Sequence, residues 1–291
     1  MFEKIIALIE KYDKIIIHRH QKPDGDALGS QLGLLGIIRD SYPEKQVYAV
    51  GDMTPRYAFM AEREMDEIDD SVYEGALAII LDTSAKELIS DSRYTMAEAT
   101  ARLDHHLFVE KIADEEVTDS SFESCCGLVT AFAKECGLTV SPVAAKLLYT
   151  GMITDSGRFR YDSTNAQTHT MAAFLMERGF DTADIFRNLY SDDLTFIQLR
   201  AKFVLKIQTT PHRVAFIYTD RAEADEMARQ MDRIALAQVI EQLPPTWKKI
   251  ILLRYYRDMT QQQVADLMGL TQVKVSREEK KIMAFMRERL S

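Results

Sequence analysis

Apolar and polar positions fall into short blocks over the first two-thirds of the chain, and the spacing of the blocks keeps switching. Residues 1–10 set apolar side chains at helical spacing among Glu3, Lys4 and Glu10, which predicts a short amphipathic helix. Lys14–His18 is a β-branched run and predicts a buried strand; Ala27–Arg39 returns to helical periodicity. Gln46–Val50 and the wholly apolar Ala76–Leu81 predict a second and a third strand, and Ala101–Leu103 a weaker fourth. From Cys125 to about Lys206 the spacing is helical, except that Arg158–Tyr161 reads as a short strand. Arg213–Tyr218 reads as a fresh strand, and after Met227 the pattern is helical throughout.

Strands alternating with helices predict an α/β domain with a mostly parallel sheet and flanking helices, and ligands in such sheets sit at the carboxyl ends of the strands. The expected order is an α/β domain over residues 1–206, a truncated second α/β domain over 207–227, and an all-α helix-turn-helix over 228–291. In the last piece Leu243–Trp247 opens a helix with proline in its first turn, and Ile250, Ile251, Leu252 and Leu253 give it an apolar face. Thr260 caps a helix over Gln261–Met268 that packs through Val264 and Leu267, Gly269 supplies the turn, and a basic helix runs from about Thr271 to Arg289. A helix, a turn with glycine and a basic second helix is a DNA-reading arrangement, although plain three-helix packing gives the same pattern.

Charge sharpens this division. The 291 residues carry a net −9, yet residues 228–291 hold 12 Lys/Arg against 7 Asp/Glu, which leaves an acidic body and a basic end with different partners. No apolar run reaches the length of a membrane span, and the N-terminus is too short in apolar length and too acidic for a signal peptide. The three cysteines, Cys125, Cys126 and Cys136, are an odd set with an adjacent pair, a poor disulfide framework that fits a reducing cytoplasm.

The candidate chemistry sits at strand ends. The first strand leads into His18-Arg19-His20-Gln21-Lys22-Pro23-Asp24-Gly25-Asp26-Ala27-Leu28-Gly29-Ser30; the third ends at Asp82-Thr83-Ser84 and the fourth at Asp104-His105-His106. Thr154-Asp155-Ser156-Gly157-Arg158-Phe159 adds another acid beside glycine. Singly, each fragment reads as a cap, a turn or a solvated loop. Gathered at one sheet edge, Asp and His make an oxygen and nitrogen donor set that suits Mn²⁺ and, less selectively, Fe²⁺, Co²⁺ or Mg²⁺. Five acids with two or three histidines exceed what one ion uses and match two ions about 3.5–4 Å apart.

The four blocks in this order resemble the leading motifs of the DHH phosphoesterase family: Asp-x-Asp-Ala-x-Gly-Ser, an Asp after a hydrophobic strand, Asp-His-His, and an Asp in a small-residue turn followed by Gly-Arg-Phe. The branch they are most similar to is the nanoRNases, and the resemblance covers about residues 1–220. It implies hydrolysis of short oligonucleotides or of nucleoside bisphosphates such as 3′-phosphoadenosine 5′-phosphate, by attack of a metal-bridging hydroxide between two Mn²⁺ ions. Mg²⁺ or Co²⁺ would be substitutes. It further implies that His20, Asp24 and Asp82 hold one ion and Asp26, Asp82, His105 and Asp155 the other, with Asp82 bridging. The implied catalytic residues are His106, against the scissile phosphate, with Asp104 and Arg158; Arg158 equally reads as a structural surface arginine. His18 and His169 are expected to be non-ligands, and the cysteines of Ser121–Gly127 small buried residues at a helix entrance.

Family members carry a closing domain with a Gly-Gly-Gly-His segment, and this sequence has no Gly-Gly-Gly. Without that remote binding energy, generic esters are expected to be handled about as well as dinucleotides. Residues 230–291 instead resemble region 4 of sporulation-type sigma factors, through Asp258–Ala265 and Gly269–Arg277. The resemblance implies that Gln272, Ser276 and Arg277 face base edges and Lys274, Lys280 and Lys281 meet phosphates, with promoter-like duplex DNA and RNA polymerase as partners. Glu278 stands at a usually apolar position and is expected to weaken packing. A natural fusion, an engineered chimera and an assembly error all fit such a join. The rival to the hydrolase reading is a sigma-like regulator whose N-terminal domain binds a nucleotide without efficient hydrolysis. No membrane partner is expected, and the oligomeric state, a homodimer included, stays open.

Overall fold

Why the sequence folds as it does begins with the all-apolar strands. In the computed structural model, which describes residues 1–61, 65–190 and 194–290, β1 (Lys14–His18), β2 (Gln46–Ala49), β3 (Ala76–Leu81), β4 (Ala99–Asp104) and β5 (Glu115–Thr118) form one sheet in the order β2-β1-β3-β4-β5. Every pairing is parallel, with Lys14 opposite Gln46 and Ala76, Leu77 opposite Ala99, and Ala101 opposite Glu115. A central parallel strand is buried on both faces, so β3 has no polar position and no exposed residue. The edge strand β5, Glu-Glu-Val-Thr, is half-buried and polar, so no apolar pattern announced it in the sequence.

On one face, Ile15, Ile17, Leu77, Ile79, Leu81 and Leu103 pack under helices α1 (Glu3–Lys11), α2 (Gly25–Ser41), α3 (Cys125–Glu135) and α4 (Pro142–Asp155). On the other face Ile16, Ala78 and Ile80 are covered by short turns carrying Tyr73 and Tyr94. Helices α5 (Ala166–Met176) and α6 (Thr182–Tyr190) complete the layer through Met171, Leu175 and Ile185.

The α2–α4 contact needs missing side chains. A Cβ on Gly29 would lie 2.7 Å from the Leu147 carbonyl and 2.8 Å from the Cys126 sulfur, and one on Gly151 only 2.2 Å from that sulfur. The two glycines let the helices close around Cys126, and that closure sets the start of α2 beside the end of α4, where the candidate acids lie. Both Cys125 and Cys126 are buried thiols, as expected.

The chain divides into two compact units, Met1–Leu189 and Tyr190–Ser291. The second holds α7 (Leu194–Leu205), a two-strand antiparallel hairpin of β6 (Gln208–Thr209) and β7 (Ala215–Phe216), then α8 (Arg221–Gln242), α9 (Pro245–Ile251), α10 (Gln261–Met268) and α11 (Gln272–Leu290). A single π-helical turn, Leu252–Tyr256, continues α9. Its core is Val239, Ile240, Leu243, Ile250, Ile251, Val264, Ala265, Val275, Ile282 and Met286.

Four expectations fail here. Arg158–Tyr161 is a turn, not a strand: Arg158 and Phe159 have φ of +65° and +59°, and the amides of Arg160 and Tyr161 both bond the Ser156 carbonyl. The strand expected over Arg213–Tyr218 shrinks to Ala215–Phe216, because among the described residues it pairs with a two-residue strand alone and both its residues are exposed. Leu267 points outward, and Ala265 packs with Val264 in its stead. Glu278 does not weaken the helix: it accepts a 2.8 Å bond from the Trp247 indole N–H and pairs with Lys281 at 3.2 Å.

Candidate metal centre

Each candidate side chain leaves a strand or helix end for a local reason. Asp24 is the N-cap of α2, its Oδ1 accepting from the amides of Asp26 and Ala27 at 3.0 Å each; the cap and the cluster position are the same residue. Asp26, in the first turn of α2 and buried, accepts the amides of Cys125 at 2.7 Å and Cys126 at 2.9 Å, so the N-terminus of α3 fixes its carboxylate. Asp82 directly follows β3 with φ of +49°, a left-handed conformation uncommon for a residue with a Cβ, and it is buried. Asp155 ends α4, and His105 and His106 follow β4.

The carboxylates and rings meet around Asp82. His20 Nε2 lies 3.5 Å from Asp82 Oδ2 and 3.9 Å from Asp24 Oδ1. On the other side, His105 Nε2 lies 3.4 Å from Asp82 Oδ1 and 3.8 Å from both Asp26 Oδ2 and Asp155 Oδ2. The donor atoms of His20, Asp24 and Asp82 all fall within 4.8 Å of one another, as do those of Asp26, His105 and Asp155 and those of Asp82, His105 and His106. His18 and His169 belong to none of these groups. His18 is buried against Tyr73 and Tyr94, and burial first, opposed by Asp91, pulls its pKa down to about 4.

Electrostatics describe a cluster that neutralises itself with protons. Burial opposes charge on His105 and His20, yet the Asp82 carboxylate and its acidic neighbours outweigh it and raise them to about 10 and about 9. Asp82 is held well below the usual carboxylate range: burial resists, but His105 and His20 prevail. Burial and the charge on Asp82 push Asp26 well up. Burial also takes Asp155 to about 6, His105 opposing and Asp82 and Asp24 adding.

The donor set fits divalent cations. Asp82 Oδ1 is buried and makes no well-formed hydrogen bond, facing His105 Nε2 at 3.4 Å and His106 Nδ1 at 3.7 Å, an arrangement that a cation between these atoms would complete. The Nδ1 of His20 is 2.8 Å from the Gln21 carbonyl, which fixes that nitrogen as an N–H, so that once the ring is neutral Nε2, beside Asp24 and Asp82, carries the lone pair for a cation.

Beside the cluster stand the expected Asp104 and His106, joined in a relay by Arg102, which no sequence motif singled out. His106 Nδ1 is 2.7 Å from Asp104 Oδ1, and Asp104 Oδ2 accepts from Arg102, whose side chain is fully buried. The Asp104 bond is the main cause raising the His106 pKa. The signal for Arg102 was present: a charged residue two before Asp104 on the same face of an otherwise apolar strand. Arg158 is exposed on the turn after Asp155.

Residues 14–152 match the DHH family, N-terminal domain. The chain is 34% identical over 221 residues to the bifunctional oligoribonuclease and PAP phosphatase NrnA of Bacillus subtilis, a span covering 75% of this chain and 70% of that one. The chain belongs to the DHH family. This DHH-family chain is also 39% identical over 200 residues to the probable bifunctional oligoribonuclease and PAP phosphatase NrnA of Streptococcus mutans, taking in 69% of this chain and 64% of that relative. The fold of an exopolyphosphatase-related protein from Bacteroides fragilis superposes with a TM-score of 0.70 at 24% identity, over 78% of this chain and 71% of that one.

Residues 239–288 match sigma-70, region 4, so this DHH-family chain also carries a region 4 module. There Thr260 and Gln263 form a reciprocal cap at α10, and Gly269 ends it with φ of +66°. On α11, Gln272, Lys274, Arg277, Lys280 and Lys281 are exposed and Ser276 is half-buried. Gln272 also bonds Gln261 at 2.7 Å, tying α11 to α10. Buried Glu279, a scaffold residue the sequence reading did not single out, accepts from Tyr255 at 2.7 Å, Gln261 at 2.7 Å and Arg254 at 3.1 Å.

Proposed function

We propose that the N-terminal unit is a two-metal phosphoesterase for short oligonucleotides or nucleoside bisphosphates such as 3′-phosphoadenosine 5′-phosphate. The observation that carries this reading is Asp82: buried, backbone-strained, and turning one carboxylate oxygen to His20 and the other to His105. His20, Asp24 and Asp82 would hold one ion and Asp26, Asp82, His105 and Asp155 the other, with Mn²⁺ suiting the donors and Mg²⁺ or Co²⁺ as substitutes. The bound cations would supply an activated water and neutralise charge on the phosphoryl oxygens. Arg102 holds Asp104, Asp104 holds His106 Nδ1, and the remaining His106 nitrogen is assigned a proton for the phosphate or its leaving oxygen. Arg158 is assigned to phosphate charge. The names of the Bacillus and Streptococcus relatives support this substrate class.

The region 4 module is assigned to duplex DNA, with Gln272, Ser276 and Arg277 toward bases and Lys274, Lys280 and Lys281 toward phosphates. Its exposed basic side chains support this, and RNA polymerase is the partner that sigma region 4 brings with it. The test of the enzymatic reading is hydrolysis of a dinucleotide and of 3′-phosphoadenosine 5′-phosphate by the full chain, with and without Mn²⁺. Mn²⁺-dependent release of mononucleotide or phosphate supports it; a complete lack of metal-dependent turnover of both overturns it.

A further inference from the structure

The loop that leaves the Asp-His-His segment carries three apolar residues in a row, and none of them joins an apolar core among the described residues. Leu107, Phe108 and Val109 are 77%, 61% and 64% exposed. Among the described residues no aromatic ring packs on Phe108. A run of exposed apolar residues costs solubility and marks a contact to be made.

The loop is also pinned at both ends. Before it, His106 bonds Asp104 at 2.7 Å. After it, the Glu110 carbonyl accepts from Arg102 at 3.1 Å, while its carboxylate accepts the Lys86 amide at 3.0 Å and pairs with the Lys86 ammonium at 3.6 Å. Arg102 therefore anchors both feet, through Asp104 on one side and Glu110 on the other. The result is an uncharged arch standing beside a cluster suited to phosphate chemistry. Phe108 is two residues from His106, a span of at most about 7 Å of extended chain.

We infer that this arch is a nucleobase platform: with the substrate phosphate at the acid and histidine cluster, Phe108 stacks on the adjoining base, flanked by Leu107 and Val109. The inference rests on the phosphoesterase reading and adds to it the recognition of the substrate's base. It also revises the expectation that a chain without the Gly-Gly-Gly-His segment treats generic esters and dinucleotides alike. Stacking on an aromatic ring is tolerant of base identity, so the platform discriminates base from no base rather than one base from another.

The test compares the Mn²⁺-loaded full chain with Phe108→Ala and Phe108→Tyr on a dinucleotide and on the same phosphodiester with its bases removed. Phe108→Ala raises KM for the dinucleotide about 5- to 100-fold with the abasic ester unaffected, and Phe108→Tyr restores the wild-type ratio. Equal losses on both substrates, or no change on either, overturn the platform and leave the phosphoesterase reading standing. A second readout works without turnover. Phe108→Trp adds an indole to a chain with one tryptophan, and adenosine 3′,5′-bisphosphate quenches it while ribose bisphosphate does not. If the wild type hydrolyses neither ester, the phosphoesterase reading fails, and the quench alone decides whether a base stacks there.

Discussion

Asp82 in the N-terminal unit and Glu279 in the C-terminal unit are both buried carboxylates, and their surroundings are opposites. Glu279 receives hydrogen bonds from Tyr255, Gln261 and Arg254, and joins the π-helical turn, α10 and α11. Burial resists its charge, but those donors outweigh it and lower its pKa. Asp82 has one oxygen with no well-formed hydrogen bond, a left-handed backbone and two histidines at 3.4–3.5 Å raised to carry charge. A buried acid whose needs are met by its neighbours is scaffold. One whose needs are left open, at the end of a fully buried strand, is poised for a ligand.

The sharpest way to break this contrast is Asp82→Ala. It should lower metal-dependent hydrolysis by roughly 10²–10³-fold or more, as expected for removing a preorganised group that stabilises charge, while circular dichroism keeps its native shape. Asp104→Ala and His105→Ala should also fail in turnover. Undiminished activity in Asp82→Ala would remove the cluster from the chemistry.

The second prediction concerns protons. His20 and His105 sit at about 9 and about 10 without a cation, so Mn²⁺ must displace protons to bind. Affinity should rise with pH between 6 and 8, up to about tenfold per unit for each proton displaced, as read by calorimetry in two buffers of different ionisation heat. The stability sign is the reverse. A histidine whose folded pKa lies above its unfolded value of about 6.5 stabilises fully below that pH, and the contribution fades as pH climbs through 9 and 10. The metal-free protein should therefore lose stability toward alkaline pH and the Mn²⁺ form should not. A pH-independent affinity would separate these histidines from the cation site.

On the C-terminal side, Glu279→Ala should destabilise its unit by about 1–3 kcal/mol by leaving three donors short of an acceptor. Trp247, the only tryptophan, reports that unit's unfolding within the full chain. Glu278→Ala, which removes a half-exposed pair with Lys281 and the indole bond, should cost clearly less than Glu279→Ala. Equal effects would dissolve the distinction between the scaffold acid and its neighbour.

The weakest interaction predicted is with DNA. Binding of the full chain to a −35-like duplex should be weak, in the range of about 10⁻⁴–10⁻⁶ M, and salt-sensitive. Arg277→Ala should remove only the preference over a scrambled duplex, by about 1–3 kcal/mol, while Lys280→Ala weakens both duplexes alike. If neither duplex binds at low salt, exposed basic residues on α11 do not amount to a DNA-reading surface.

Local pattern alone carried much of this protein. The β-branched run Lys14–His18, the apolar run Ala76–Leu81, the Thr260 cap and the Gly269 turn were legible because period, capping and left-handed glycine are properties of neighbouring residues. The order of the acids and histidines was legible as well. What no local pattern holds is which groups are buried together. The polar edge strand β5 and the clasp on Glu279 were settled by long-range neighbours, the closed turn at Arg158–Tyr161 by a serine carbonyl four and five residues upstream of the amides it accepts, and the relay from Arg102 by side chains two residues apart that the fold buries together. Asp82 joins the two kinds of information. Its place after a hydrophobic strand is sequence, but the two histidines face it because β1 and β4 flank β3 in the sheet, and Asp26 and Asp155 join them because Gly29 and Gly151 let α2 and α4 close.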